Sequence, residues 1–312
     1  MSASLQEILQ DLGSPTPKQL ILDTDTYNEI DDQFAIAYAM LAENIHLLGI
    51  VAAPFRNQRA ATPAEGMEKS YREILRVRGL IDPENRRNIP AFRGSTAYMA
   101  NISAPVPSEG AEAIVRLAKE ANGTVYVAAL GCFTNVASAL LLAPEIAEKI
   151  VVLLVGANTF ERGDCNEFNL AQDRFSARVI FECGVPVVVL PALGGTQAIT
   201  TTNAELHHYL QNSAGEVGRY LCRIMAEEEG EPLQNGSCCS RTRIVWDIAS
   251  VAALRLGSKA GRVQVVPARS ITNEGHWAEE SLPGREMIYV DRFDRDAIFS
   301  DFYTVLRSGA AE

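Results

Sequence analysis

Five carboxylates fall within ten residues: Asp23, Asp25, Glu29, Asp31 and Asp32, in the run Asp23-Thr24-Asp25-Thr26-Tyr27-Asn28-Glu29-Ile30-Asp31-Asp32. Like charges a few ångströms apart repel by about 1 kcal/mol even in water, and by more in a partly dry cleft. Such a run needs a positive partner, and an oxygen-seeking divalent cation is the natural one. One or two acids at this place would be explained as a helix cap and a solvated loop, since Asp is a favoured N-cap. The whole run, between an apolar segment and the helical pattern QFAIAYAML, argues instead for a binding cup. The helix N-terminus at Asp31 and Asp32 adds partial positive charge to it.

The elements that must position these acids are legible in the apolar pattern. Short, nearly unbroken runs rich in Val, Ile and Leu at 19–22, 46–51, 124–129, 150–155 and 185–190 read as buried strands. Between them, 31–41, 63–77, 110–121, 135–142 and 172–183 carry apolar residues three and four apart and read as helices. This alternation predicts an α/β fold, a three-layer sandwich with a mostly parallel central sheet and right-handed crossovers. After Gly195 the pattern gives helices at 204–211 and 216–229, an acidic Gly-containing loop at 230–236 and a helix starting near Trp246. Strands at 263–266 and 287–290 and a final helix at 294–306 follow, so the last third is expected to form a helical cap on the same sheet. No repeat or linker divides the chain, and residues 1–312 are expected to form one domain. In parallel sheets ligands collect outside the carboxyl ends of strands, which is where the acidic run stands.

Composition narrows the function classes. With 28 Lys+Arg against 39 Asp+Glu and a net charge of -11, no basic footprint for nucleic acid or anionic lipid is present. No stretch approaches eighteen apolar residues, which argues against a membrane span. Residues 1–12 read as a short amphipathic helix with Glu7 and Asp11 rather than a leader. Six cysteines without CxxC spacing fit reduced thiols and a cytoplasmic location. At 312 residues roughly three-quarters of the unfolded surface can be buried, so a metal would serve chemistry rather than folding.

Together with four later segments, the acidic run resembles the calcium-dependent nucleoside hydrolases, whose usual opening is Asp-x-Asp-Pro-Gly-x-Asp-Asp after a strand. Here Asp23-Thr24-Asp25 and Asp31-Asp32 match, with two extra residues and no Pro-Gly. Asn57-Gln58 stands in place of the family's Gly-Asn, Arg56 replacing the glycine. Leu130-Gly131-Cys132-Phe133-Thr134-Asn135-Val136-Ala137 is similar to the Gly-Pro-Leu-Thr-Asn-Ile-Ala turn, and Asn166-Glu167-Phe168-Asn169 with Asp173 to Glu-Phe-Asn-x-x-x-Asp. Trp246-Asp247 stands where many members carry His-Asp.

The resemblance implies one Ca²⁺ held by Asp25, Asp32, Asp247 and the Leu130 carbonyl. It implies that Asp31, Asn169 and Asp247 grip the 2′ and 3′ hydroxyls of a ribonucleoside, that Glu167 holds the 5′ hydroxyl with Asn158 or Asn166, and that Asn57 also faces the substrate. Asp25 would be the general base that takes a proton from a calcium-bound water as it attacks the anomeric carbon. The usual leaving-group histidine is absent. A purine-specific subgroup also places tryptophan there, so Trp246 resembles a purine platform, worth about 1 to 3 kcal/mol of stacking; a core tryptophan is the plainer explanation on residue type alone. Gln58 stands where that subgroup uses aspartate, and a second stacker would have to be Tyr98 or another aromatic, since Trp277 is far downstream. Assembly as a homodimer or homotetramer is implied by the family alone.

Several features fit less simply. Tyr27 and Asn28 in the altered loop could reach over sugar or base. Arg241 and Arg243 could bond the base or pair with the acids at 227–231. His207 and His208 point apart on one helix and read as surface, and His276 lacks a placed partner. Two other functions remain open on sequence: a non-catalytic nucleoside- or ribose-binding relative, and a Mg²⁺-dependent aspartyl-phosphate phosphatase. The latter usually continues Asp-x-Asp-x-Thr, where this chain has Tyr27.

Overall fold

The computed structural model describes residues 3–229 and 241–309. Cys238, Cys239 and the loop expected at 230–236 lie outside the described residues. The chain starts with α1 (Leu5–Asp11), closed by a Ser4–Glu7 capping box. Alternation then begins: β1 (Lys18–Thr24), α2 (Asp31–Leu41), β2 (Ile45–Ala52), α3 (Pro63–Ile81) and β3 (Ala91–Arg93). Next come α4 (Glu109–Glu120), β4 (Val125–Ala129), α5 (Thr134–Leu142), β5 (Ile150–Val155), α6 (Phe168–Gln172), α7 (Arg174–Glu182) and β6 (Val187–Leu190). The last part holds β7 (Thr200–Thr202), α8 (Asn203–Leu210), α9 (Gly215–Glu229), β8 (Thr242–Ile244), α10 (Ile248–Leu256), β9 (Arg262–Ile271), β10 (Trp277–Asp291) and α11 (Arg295–Gly309).

Eight strands form one sheet in the order β3-β2-β1-β4-β5-β6-β10-β9, parallel except for the β10–β9 pair. Alternate residues of each central strand face opposite layers. Leu20 and Leu22 pack with α2, α3 and α8 to α11, whereas Ile21 packs with α4, α5 and α7. All three side chains are fully buried, and burying each contributes roughly 1.5–3 kcal/mol. Every residue of α2 is buried, which explains its apolar surface all round. The expected three-layer α/β sandwich is therefore present.

Three details depart from the sequence pattern. The helix expected at 172–183 is two helices, because Asp173 leaves helical geometry (φ -148°, ψ 86°). Its carboxylate accepts from Ser176 N–H, Met99 N–H and Thr134 Oγ1, so bonds to three segments outweigh helix continuity. The late strands extend far beyond 263–266 and 287–290 into a long antiparallel ribbon with broken register near Ser281. Polar, half-exposed residues in that ribbon hide it from an apolar-run search. The helix near Trp246 begins at Ile248, with Asp247 at its N-cap.

The topology fixes where a ligand goes. From β1 the chain builds β2 and β3 outward on one side, then returns to lay β4, β5 and β6 on the other. Winding reverses between β1 and β4, and the crevice outside their carboxyl ends is the expected ligand position.

Candidate active site

Asp25 follows β1 and Leu130 follows β4, so both sit at that reversal, where they line a cavity of about 200 Å³. Asn28, Glu29, Asp31 and Asp32 join from the first loop and the start of α2. Val155, Glu167, Phe168 and Asn169 come from β5 and the start of α6, Ala192 and Leu193 from the segment after β6, and Trp246 and Asp247 from the approach to α10. Segments distant in sequence are thus brought together by the sheet. A larger groove of about 990 Å³ lies against α1 and the amino ends of β4 and β5. It has mixed Lys and Glu lining and no convergent acids, so chemistry rather than size picks out the smaller cavity.

Carboxylate oxygens of Asp31, Asp32 and Asp247 all lie within 4.8 Å of one another, and all three residues are buried. Two ligands of one Ca²⁺, each about 2.4 Å from it, can be separated by no more than this. Asp25 lines the same cavity without joining the three-way cluster, and its Oδ2 is buried with no hydrogen-bond partner. The Leu130 carbonyl accepts from Asn169 Nδ2 and keeps a second lone pair. Every group offered is a hard oxygen. This donor set fits a divalent cation of the Ca²⁺ type.

Neutral groups hold the acids in place. Thr24 Oγ1 donates to Asp32 Oδ1, the Trp246 N–H donates to Asp31 Oδ2 at 3.1 Å, and Asn135 Nδ2 donates to Asp23 Oδ1 at 2.7 Å. Asn135 Oδ1 in turn accepts from Ser95 N–H at 2.7 Å. The Thr134-Asn135 turn is therefore the clamp between β1 and the opposite loops. Gly131 is required beside Asp25: a Cβ there would lie 2.9 Å from Ala53 Cβ and 3.0 Å from Asp25 Cγ.

Burial, reinforced by repulsion between the acids, pushes the Asp25, Asp31 and Asp247 carboxyls well above the usual carboxylate range. Burial also raises Asp23 to about 7 against the pull of Asn135, and Asp32 to about 6 against the Thr24 hydroxyl. Without a cation, the cup retains protons near neutrality. Glu167, raised by burial to about 7, receives the opposing pull of N–H donors from Ala157, Asn169 and Leu170.

The remaining expected residues divide into those on the cavity and those behind it. Glu167, Asn169 and Trp246 line it. Asn57, Asn158 and Asn166 do not. Asn57 donates to Asn28 Oδ1 at 2.7 Å; Asn158 spends its amide on Asp164 and the Leu193 N–H; Asn166 is exposed and accepts from Arg174. Tyr98 bonds Gln172, and Trp277 is buried against Phe160 and Phe181, so neither lines the cavity. Phe168, 36% exposed, is the second aromatic on the cavity wall, and its place inside Glu167-Phe168-Asn169 was the signal for it. Arg243 pairs with Glu29 at 2.9 Å and approaches Glu228 at 3.9 Å. His276 is exposed and bridges to Asp164, away from the cavity. Cys165, just before the Asn166-Glu167-Phe168-Asn169 segment, is fully buried.

A mostly parallel α/β sheet with a cluster of buried carboxylates at its winding reversal defines an α/β protein with a candidate cation-binding cavity. The sequence profile of the family described as inosine-uridine preferring nucleoside hydrolase matches residues 20–276, and the chain belongs to that family. It is accordingly a hydrolase of N-ribosyl bonds. It is 29% identical over 235 residues to the "probable uridine nucleosidase 2" of Arabidopsis thaliana, covering 67% of this chain and 69% of that protein. Its fold is similar to a structure titled as the plant nucleoside hydrolase PpNRh1, with TM-score 0.72 and 19% identity over 94% of this chain and 99% of that one. It is also similar to a purine-preferring ribonucleoside hydrolase from Gardnerella vaginalis, with TM-score 0.71 and 21% identity over 94% and 99% of the two chains. Family membership removes the phosphatase reading of the first loop. Among the described residues no helix is long and apolar enough to cross a membrane.

Proposed function

We propose that this protein hydrolyses the N-glycosidic bond of ribonucleosides, purine ribonucleosides foremost, to free base and ribose, with Ca²⁺ as its resident cation. The observation that carries this reading is the convergence of Asp31, Asp32 and Asp247 beside the unpartnered Oδ2 of Asp25. Asp25, Asp32, Asp247 and the Leu130 carbonyl would hold the ion, and the closeness of Asp31 to two of them puts it within reach as well. When bound, the cation would neutralise the cup and lower the pKa of a coordinated water.

The chain's own groups do the rest. Asp25 Oδ2, buried and uncommitted, accepts the proton of the attacking water. Asn169 spends both Nδ2 hydrogens on the Leu130 and Val155 carbonyls, which leaves its Oδ1 as an acceptor for a ribose hydroxyl. Asp31 and Asp247 accept from the 2′ and 3′ hydroxyls. Glu167 is fixed by three main-chain N–H donors and retains lone pairs for the 5′ hydroxyl. Carboxylates around the ring stabilise the positive charge that develops as the bond breaks. Asn57, Asn158 and Asn166 act through the neighbours they hold. A cavity this small encloses a pentose and leaves the base at its mouth. There Trp246 and Phe168 offer apolar faces, and a purine covers more of them than a pyrimidine.

The test is a reducing-sugar assay with inosine, adenosine, guanosine, uridine and cytidine, with Ca²⁺ and with chelator. Ribose release that requires the cation and is fastest with purines is expected. Tight nucleoside binding without turnover would refute it in favour of a binding protein.

A further inference from the structure

We infer that Asn28, on the lengthened loop after β1, donates an N–H to the leaving base and so takes over leaving-group stabilisation in a chain that has no histidine before Asp247. The inference rests on the ribonucleoside hydrolase reading of the cavity.

The orientation of the Asn28 amide follows from its neighbours. A main-chain N–H can only donate, so the Arg59 N–H, 2.7 Å from Asn57, requires Asn57 Oδ1 to face it. Asn57 Nδ2 must then be the group that meets Asn28 at 2.7 Å, and Asn28 presents Oδ1 to it. Asn57 is itself fixed in a tight turn, with main-chain bonds to Ala60 in both directions. Asn28 is fixed from below by its N–H bond to the Asp25 carbonyl, at 2.7 Å. Its NH₂ group is left over. Asn28 lines the cavity, and no acceptor for that NH₂ is present among the described residues.

The rest of the lining makes this donor stand out. Asp25, Glu29, Asp31, Asp32, Glu167 and Asp247 offer acceptors, and both Nδ2 hydrogens of Asn169 are spent on carbonyls. Acceptors match the hydroxyl donors of the sugar. The ring nitrogens and carbonyl oxygens of a nucleobase are acceptors, and they need the opposite. As the C1′–N bond breaks, its electron pair passes to the base, a C1′–O bond forms to water, and a carboxylate takes the water's proton. Negative charge gathers on the base's acceptor atoms only in this step, and a fixed N–H donor there lowers the barrier. The released base then takes its proton from solvent. The extra residues of this loop thus bring a side-chain amide donor to a lining rich in carboxylate acceptors.

The experiment compares Asn28→Asp, which keeps the size and the oxygen that Asn57 grips, with the wild type on two substrates in Ca²⁺. Inosine needs help with its leaving group; 4-nitrophenyl β-ribofuranoside departs as a stable anion. The expected result is a kcat loss of about 10² to 10³ on inosine, the range for removing one such donor, with the nitrophenyl riboside changed by less than about threefold. Asn57→Ala, which frees the amide to turn, should give the same selective loss at smaller size, about tenfold. Nitrophenyl turnover also reports that each variant is folded. Equal loss on both substrates, or unchanged turnover of inosine, would overturn the inference while leaving the hydrolase reading intact. A wild type that turns over no ribonucleoside would overturn both.

Discussion

Replacing Asp247 by Asn should stabilise the metal-free protein and destabilise the metal-loaded one. Asp247 offers an oxygen within 4.8 Å of oxygens on both Asp31 and Asp32, and its side chain caps no N–H of α10. At that separation and an effective dielectric near 20, each ionised pair repels by about 3 kcal/mol. The cup avoids part of this by keeping protons, so the relief from one neutral amide is smaller, about 1–3 kcal/mol. The sign with pH follows from the raised carboxyls. A carboxyl whose folded pKa lies above its unfolded value costs stability as pH rises from about 4 through that folded value. In chelator the wild type should therefore melt lower as pH rises from about 5 to about 8, and the Asp247→Asn variant should fall less steeply. At about 1.5 °C per kcal/mol for a chain of this length, the variant should melt roughly 2–5 °C above the wild type at the upper end. Saturating Ca²⁺ reverses the order, since a ligand at about 100 times its Kd adds about 2.7 kcal/mol to the wild type and less to a protein missing a ligand. Thermal unfolding followed by circular dichroism, with chelator and with Ca²⁺, reads both orders. A variant that melts below the wild type in both conditions would refute the claim that these acids repel one another across an ion site.

Other perturbations address single links. Asn135→Ala removes the donor to the buried Asp23 carboxylate and strands the Ser95 N–H, which together cost about 3–5 kcal/mol of unfolding free energy in a denaturant titration. Gly131→Ala places a Cβ 2.9 Å from Ala53 Cβ and 3.0 Å from Asp25 Cγ, so the melting temperature should fall and kcat of the folded protein should fall by about tenfold or more; unchanged kcat would mean that Asp25 needs no fixed position. Trp246→Ala should raise KM for purine ribonucleosides roughly 10- to 100-fold, and uridine less, if the indole is a stacking platform.

Much of this site could be read without a structure because its parts follow the ends of buried strands. Asp25 and Leu130 each stand just beyond an apolar run, and a parallel sheet leaves little freedom over where such residues go. Helix α2 was bounded by its sequence at both ends, since Asp31 and Asp32 favour its first turn and its interior is apolar all round. Legibility ended where side chains bond across segments. Nothing local in Asn57, Asn158 or Asn166 says that each amide is consumed by another segment, and nothing in Asp173 says that two distant donors will help break the helix through it. The β9–β10 ribbon was underestimated for a related reason: its polar stretch is held by pairing rather than by burial.

The same distinction explains how the cup tolerates its own charge. Its acids are supplied by local sequence, but their spacing is set by neutral donors: the Thr24 hydroxyl on Asp32, the Trp246 N–H on Asp31 and the Asn135 amide on Asp23. A neutral donor orients a carboxylate without cancelling its charge, whereas a lysine or arginine would form an ion pair and compete with a cation for the oxygen. Arg243 and Arg59 are kept at the rim, paired with Glu29 and Glu228. The interior therefore keeps a surplus of negative charge that only a cation or protons can balance. For that reason metal affinity, rather than substrate contact, should be the property most sensitive to the residues holding the acids from behind.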